Sequence, residues 1–303
     1  MSTASTPPVA DKFADRTHTT KKDIKAGFER LGMKRGDVVL SHSSLSRFGF
    51  VEGGPDAVID AILETIGPDG TIIMSAITTN GGIVGAAIES ADKGTLAAVE
   101  PFDVANKKCW AGTIAETFRN RPGVKRSWHP THSVSAYGAL ADEMIANHEN
   151  APGPCGEGTP YTRVCDVPRG FILLLGVSHE SNTAMHGMEE LAGLEYVLYP
   201  KWSRIPILTP EGLREAHTRV HNSYMDRHLG ALESAYINGL AETVTHIGDS
   251  YVRFVNAMKM RDITLPELKK NPLLMLNEKG LRAWNKMKET GVFTRNPFPP
   301  APK

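Results

Sequence analysis

Residues 37–42, Asp-Val-Val-Leu-Ser-His, and residues 71–74, Thr-Ile-Ile-Met, are apolar runs that flank a segment with helical periodicity. Pro55 falls in the first turn predicted for that helix, which continues to about Ile66. An Asp-Gly turn at residues 69–70 then leads into the second run. The order strand, helix, strand predicts an α/β domain in which both strands share one sheet.

The same succession returns farther along the chain and carries reactive side chains. Residues 173–176, Leu-Leu-Leu-Gly, end an apolar run, and Asn182 after a polar turn is suited to cap a helix. Thr183, His186 and Glu189 follow at spacings of three, so they share one face of that helix. Open α/β sheets place their chemistry at the carboxyl ends of strands, and imidazole accepts protons near neutral pH. We therefore predict a histidine base supported by a carboxylate; for His186 taken alone, a structural histidine is the alternative.

The composition is that of an ordinary globular protein and excludes several classes. Hydrophobic residues make up 41% of the 303 positions, and 34 basic residues balance 34 acidic ones. This balance argues against nucleic acid or an anionic membrane as partner, and the longest apolar run, around residues 171–177, is too short to span a bilayer. Cys109, Cys155 and Cys165 show no paired spacing, which argues against disulfides and four-thiolate zinc sites and favours the cytoplasm.

No repeat or low-complexity linker divides the chain, so we predict a single domain over residues 18–292 between disordered tails at 1–17 and 293–303. Residues 79–101 are expected to form a long loop over the active face. After a predicted strand at 243–247, the chain is expected to be mostly helical. The other predicted elements are helices at 20–31, 113–118, 139–146 and 231–240, a strand at 133–137, and a hairpin of 204–208 with 215–220.

Two further polar clusters could hold an anion. Residues 124–133 crowd cations, imidazoles and hydroxyls into one loop, where Arg126 could pair with phosphate oxygens. Residues 41–45, Ser-His-Ser-Ser-Leu, follow a strand and could offer hydroxyls and backbone N–H groups. A solvated loop and simple helix capping are the structural alternatives, and a lone buried His42 would more often be structural.

Together, in this order and spacing, these motifs resemble the aminoglycoside 3-N-acetyltransferase family from about Lys22 to Glu195. The resemblance implies an α/β/α layered sandwich with a mixed sheet, distinct from the common GNAT acetyltransferase fold, and acetyl-coenzyme A (acetyl-CoA) as cosubstrate. The matching stretches are GDVVLSHSSL (36–45), GGPDAVI (53–59), GTIIM (70–74), FD (102–103), GTIAETFR (112–119), RSWHPTHS (126–133), TPY (159–161) and NTAMHGME (182–189).

The resemblance also implies roles for individual residues. His186 would act as base on the attacking amine, Glu189 would support it, and Thr183 would lie beside the thioester carbonyl. The expected partners are a small-molecule amine and coenzyme A, with a homodimer as an option. The residues implied to line the cofactor path are His42, Ser43, Ser44, Leu45, Arg126, His129, His132 and Ser133, with Thr159 and Tyr161 in a loop that closes the cleft.

The acceptor amine is the first open question. A polycationic aminoglycoside calls for an acidic cleft, and this chain has no excess of acidic residues. Glu180, Glu189, Glu190 and Glu195 are expected to cluster near the site, with Glu190 solvated. An acyltransferase of the same fold that acts on another amine is therefore an alternative.

Two other classes stay open on the sequence. A non-catalytic coenzyme A-binding protein is one, although binding alone does not need a base. A metal-dependent hydrolase is the other, because His129 and His132 are closely spaced and His186 lies elsewhere. His-Pro-x-His is not a recognised zinc spacing and no cysteine pair supports it, so we predict no metal.

Overall fold

A central sheet of seven strands organises the molecule, which is described here by a computed structural model covering residues 16–79, 81–222 and 225–291. The predicted tails at 1–17 and 293–303 lie outside these residues except for Arg16 and Thr17. The strands are β1 His18–Thr19, β2 Val38–Ser43, β3 Phe50–Val51, β4 Thr71–Ser75, β5 Phe102–Asp103, β6 Lys125–Arg126, β7 Val134–Gly138, β8 Gly170–Leu175, β9 Ser203–Thr209, β10 Gly212–Thr218, β11 Glu242–Ile247 and β12 Ser250–Asn256. The helices are α1 Lys21–Arg30, α2 Gly54–Ile66, α3 Gly81–Lys93, α4 Thr113–Arg119, α5 Ala141–Ile145, α6 Pro160–Arg163, α7 Ala184–Leu191, α8 Glu233–Asn238, α9 Ala257–Lys270 and α10 Glu278–Thr290.

The central sheet is mixed, as predicted. Its strand order is β11-β12-β8-β2-β4-β7-β6, and β2 runs parallel to both β8 and β4. The outer strands join antiparallel. A three-stranded sheet, β10-β9-β5, contains the predicted hairpin, and β1 pairs with β3 in parallel.

Helices cover both faces of the central sheet, because successive side chains of its strands point to opposite sides. Along β2, Val39 faces a core that it shares with Phe28 of α1 and Ile62 of α2. Leu40, the next residue, faces a second core that includes Met185 of α7. The predicted α/β/α sandwich is therefore confirmed.

Two elements differ from the sequence-based expectation. The segment 79–101 is not a loop throughout, because α3 occupies its centre and packs against β9. Val84 and Ala87 are buried at a helical spacing, which the surrounding glycines obscured. The chain after residue 247 is mostly helix in its described part, as predicted, because it contains α9 and α10, but the prediction missed β12, which pairs with both β11 and β8.

The three parallel strands place the candidate site. β2, β4 and β8 end at the same edge of the sheet, so the segments that follow them converge there. Gly176 ends β8 with a φ of 68°, and a Cβ on it would lie 2.6 Å from the Cβ of Arg47. The turn that follows delivers α7 to this edge. Among the described residues, no helix has the length and apolar character needed to cross a membrane.

Candidate active site

A cleft of about 610 Å³ opens at the carboxyl ends of β2, β4 and β8. This is the edge at which the sequence predicts chemistry. Its walls come from several segments that are distant in sequence. The lining residues are Ser41, His42, Ser43, Ser75, Ile77, Thr79, Trp110, Ala111, Gly112, Ala115, His132, Val177, Glu180, Ser181, Thr183, His186, His221, Asn222 and Arg227.

His186 and Glu189 form a hydrogen-bonded pair on one face of α7. The Nδ1 atom of His186 lies 2.8 Å from Oε2 of Glu189. The imidazole is partly exposed and lines the cleft, whereas the carboxylate is fully buried. When Nδ1 is protonated and its N–H donates a hydrogen bond to the carboxylate, Nε2 is the basic atom of the ring.

Glu189 is held ionised by its surroundings. Nε of Arg227 donates to its two oxygens at 3.0 and 2.8 Å, and the hydroxyl of Tyr196 donates to Oε1 at 3.0 Å. Burial alone would raise the pKa of Glu189, but the Arg227 charge and the hydrogen bonds from His186 and Tyr196 lower it to about 2. A fixed negative charge therefore faces Nδ1 and orients the ring.

Thr183 stands at the start of α7 and also lines the cleft. Its side chain makes no capping hydrogen bond. The predicted cap, Asn182, instead accepts the N–H of Ala184 through Oδ1 at 3.2 Å. The Thr183 hydroxyl is therefore not committed to the helix end.

The segment after β2 lies where the sequence expects it. His42 and Ser43 line the cleft, and Ser43 also lines an adjoining cavity of about 470 Å³ together with Ser44 and Leu45. Burial, with a smaller contribution from the nearby His179 and His186, lowers the pKa of His42 to about 4. A neutral His42 gives this segment polarity without positive charge.

Arg126 and Ser133 are not among the residues that line the cleft. The Arg126 guanidinium donates to the backbone carbonyls of Ala76, Val104 and Lys107 and to Oγ of Ser133. Ser133 donates in turn to the Ala76 carbonyl at 2.8 Å. Burial lowers the pKa of Arg126 to about 10. These contacts tie loops to the sheet and leave little of the guanidinium for a phosphate.

The remaining residues predicted for the cofactor path are divided between the cleft and the interior. His132 lines the cleft, whereas His129, Thr159 and Tyr161 are fully buried. His129 lies 3.3 Å from Oγ1 of Thr218, and Thr159 donates to a backbone carbonyl at 2.8 Å. Tyr161 donates to the His132 carbonyl at 3.2 Å, so it braces a cleft residue from behind.

The expectation for Glu190 was wrong. Its carboxylate is buried, accepts the N–H groups of Cys155 and Gly156 at 2.9 and 2.8 Å, and lies 2.5 Å from Nε2 of His221. Burial raises the pKa of Glu190 to about 8, although both backbone donors lower it. Glu195, which follows the end of α7, is exposed and lines a cavity other than the cleft.

Several residues of the cleft were missed by sequence reasoning, among them Arg227, His221 and Trp110. Arg227 and His221 come from the second half of the chain, beyond the motifs that carry the resemblance, and Trp110 comes from a loop. A buried carboxylate such as Glu189 requires a cationic partner, which is the signal that could have prompted a search for Arg227. Nothing in its own sequence context marks that arginine.

Comparison with known proteins identifies the family. A family model described as aminoglycoside 3-N-acetyltransferase matches residues 40–269. Aminoglycoside N(3)-acetyltransferase III from Salmonella sp. is 30% identical over 243 residues, covering 77% of this chain and 80% of the relative. Aminoglycoside N(3)-acetyltransferase IV from Salmonella sp. is 28% identical, covering 86% and 93%.

Solved structures agree in fold. The binary complex of AAC-IIIb with CoASH is 25% identical, with a TM-score of 0.71 over 84% of this chain and 97% of that one. The apoenzyme of aminoglycoside acetyltransferase AAC(3)-IVa is 26% identical, with a TM-score of 0.70 over 87% and 93%. The family match covers most of the chain and includes the β8–α7 stretch that carries the histidine–carboxylate pair. This chain belongs to the aminoglycoside 3-N-acetyltransferase family.

Proposed function

We propose that this protein transfers the acetyl group of acetyl-CoA to an amine and that His186 is the general base. The observation that carries the proposal is the His186–Glu189 pair. One ring nitrogen is bound to an ionised carboxylate, and the ring itself lines a cleft at the carboxyl edge of the sheet. The named relatives and the family model support acyl transfer as the reaction class.

The proton balance of the reaction fits these residues. An alkylammonium must lose a proton before its nitrogen can attack, and Nε2 of His186 takes that proton. Glu189 stabilises the imidazolium that forms and is itself kept anionic by Arg227. Acetyl-CoA, when bound, supplies a thioester whose C–S bond breaks as the new C–N bond forms. The nitrogen loses two protons in all, of which the leaving coenzyme A thiolate takes one and solvent takes the other. Thr183 lies on the same wall, where its hydroxyl can donate to the carbonyl oxygen.

The cleft continues into spaces that fit a long donor. Ser43 and Gly112 are shared by the cleft and the cavity of about 470 Å³. A second cavity of about 550 Å³ shares Val177 and Ser181 with the cleft and is lined by two arginines, Arg47 and Arg253. The exposed guanidinium of Arg47 suits the phosphates of coenzyme A, whereas Arg253 is already paired with Glu233 and the neutral His42 does not supply charge. The three cysteines are buried and unpaired, which supports the reducing cytoplasm as the place of the reaction.

An aminoglycoside is the first acceptor to test because of the family. A second candidate, a smaller amine of low charge, is favoured by the charges of the cleft. Of the four glutamates expected near the site, only Glu180 is on the wall of the cleft in the described part of the chain. Its carboxylate already accepts from the Leu229 and Gly230 N–H groups and lies 2.7 Å from Nδ1 of His228. Arg227 also lines the cleft, but its charge is balanced by Glu189, so the pair adds no net charge.

A thiol-release assay tests donor and acceptor together. Purified protein is incubated with acetyl-CoA and either a panel of aminoglycosides or a panel of monoamines and diamines, and acetylated products are identified by mass spectrometry. We expect thiol release that requires an amine and falls with His186→Ala. Turnover of aminoglycosides alone would reject the second acceptor class. Tight binding of acetyl-CoA without turnover of any amine would instead favour the non-catalytic alternative.

A further inference from the structure

His132, Cys155 and His221 form a buried cluster beside the catalytic pair. One ligand-type atom from each side chain lies within 4.8 Å of the corresponding atoms of the other two. His132 and His221 line the cleft, whereas Cys155 is fully buried. The rings of His221 and His186 have centroids 5.2 Å apart, so the cluster adjoins the base. The proposed acyl transfer makes no use of it.

In each imidazole of the cluster, one nitrogen makes a hydrogen bond that orients the ring. Nδ1 of His132 lies 2.9 Å from Oγ1 of Thr131, and Nε2 of His221 lies 2.5 Å from the carboxylate of Glu190. The other nitrogen of each ring is left as a ligand. Metal-binding histidines are held in this way, with the non-ligating nitrogen bound to a carboxylate or another oxygen.

Cys155 is fixed against α7 by its own backbone. Glu190 accepts the N–H of Cys155 at 2.9 Å. Gly187 permits close packing at this point, because a Cβ on it would lie 2.5 Å from the Cys155 carbonyl oxygen. Within residues 16–79, 81–222 and 225–291 the thiol itself has no hydrogen bond. The thiol and the two imidazoles are therefore held in place before any ion binds. Together they offer one soft sulfur ligand and two intermediate nitrogen ligands for a single ion.

We propose that His132, Cys155 and His221 bind a zinc-class divalent cation whose fourth position opens to the cleft. Two nitrogen ligands and one sulfur suit tetrahedral zinc, in which ligand atoms are roughly 3.5 Å apart, so small side-chain movements complete the site. The thiolate that forms when the cation displaces the proton of Cys155 offsets part of the charge of the ion. The sequence predicts no metal because the ligands come from three separate segments and leave no recognisable spacing.

Cobalt(II) is the probe for this site. The full chain is treated with a chelator, dialysed, and titrated with cobalt(II) and, separately, zinc(II). We expect one equivalent to bind, a thiolate-to-cobalt charge-transfer band in the near ultraviolet, and intense visible bands typical of four coordination. Zinc should displace the cobalt and abolish both.

Matched variants assign the ligands. Cys155→Ser should lose the charge-transfer band and weaken cobalt affinity by more than the roughly 10- to 100-fold that removal of an outer partner costs. Cys165→Ser is the control, because Cys165 is also a buried free cysteine in the same core. His221→Gln should lose the visible bands, whereas His148→Gln should keep them, because both nitrogens of His148 are already bound to protein.

The readout is metal binding and not turnover, so it can fail while acyl transfer succeeds. Zinc X-ray absorption of the unmutated, zinc-loaded protein provides a test that does not depend on how a variant folds, and one sulfur with two imidazoles is expected. A first shell without sulfur would overturn the proposal. So would a charge-transfer band that survives Cys155→Ser, or the absence of stoichiometric binding.

Discussion

Two histidines in the short stretch after β8 each pair with a carboxylate, and only one of the two histidines lines the cleft. His186 binds Glu189 at 2.8 Å, and His179 binds Glu242 at 2.9 Å. Each carboxylate also faces an arginine, Arg227 in the first pair and Arg253 in the second.

The two pairs differ in access to the second ring nitrogen. His179 is fully buried, and its Nδ1 lies 3.3 Å from the Asn182 amide, so both of its nitrogens are occupied. The His186 side chain is 22% exposed and lines the cleft. A carboxylate beside an imidazole therefore does not make a base by itself. A base also needs a free nitrogen that a substrate can reach.

The largest expected effect separates the two histidines. His186→Ala should lower kcat/KM by about 100- to 10,000-fold, because it removes the group that accepts the proton. His179→Gln should leave kcat/KM of the folded protein nearly unchanged and lower its melting temperature, because it weakens a buried pair. Steady-state kinetics and thermal unfolding of both variants check this. An equal loss of turnover in the two variants, at unchanged melting temperature, would contradict the comparison.

Glu189→Gln should reduce both activity and stability. The amide cannot stabilise an imidazolium, so kcat should fall about 10- to 100-fold. This loss is smaller than the loss expected for His186→Ala, because the base itself is still present. It also leaves the buried Arg227 without its counter-charge, which should cost about 3–5 kcal/mol in the free energy of unfolding. Glu233→Gln is the control, because Glu233 pairs with Arg253 near the surface and should cost less than about 1 kcal/mol. Chemical denaturation measures both losses.

The ionised Glu189 also predicts a loss of stability in acid. Its pKa is about 2 in the folded protein, below the ordinary value of 4.5, so folding favours the deprotonated form. The stabilisation is complete above pH 4.5 and is lost as the pH falls toward 2, by about 3 kcal/mol in total. Denaturant titrations across this window should show a shallower pH dependence for Glu189→Gln. Identical slopes in the two proteins would place the acid-sensitive group elsewhere.

The local part of the site could be predicted from sequence, and the distant part could not. Thr183, His186 and Glu189 follow from helical periodicity, which adjacent turns of one helix specify on their own. Arg227 reaches the same carboxylate only through the tertiary fold, and its sequence context carries no motif. Arg126 shows the converse limit of local patterns: a basic loop predicts a phosphate contact, whereas the guanidinium donates to backbone carbonyls that are distant in sequence.

The fold divides in the same way. The parallel strands β2 and β4 and the helix between them are specified by short-range patterns, and they were predicted correctly. β12 was missed, and its pairing with β8 depends on residues about 80 positions apart. Glu190 was placed in solvent, because a second acidic residue on a helix is usually exposed. Its burial depends on the Cys155–Gly156 backbone, which no local pattern reveals.

The smallest expected effect concerns the hydroxyl that shares the wall with His186. Thr183→Val should lower kcat about tenfold, the equivalent of one hydrogen bond of about 1.4 kcal/mol, and Thr183→Ser should restore most of it. Stability should change little, because the Thr183 side chain does not cap α7. Thr159→Val is the matched control. Its hydroxyl is buried on the Gly156 carbonyl, so the control should lose stability and keep its kcat. If Thr183→Val kept its full kcat, the donor to the carbonyl oxygen would have to be sought among the backbone N–H groups of the cleft.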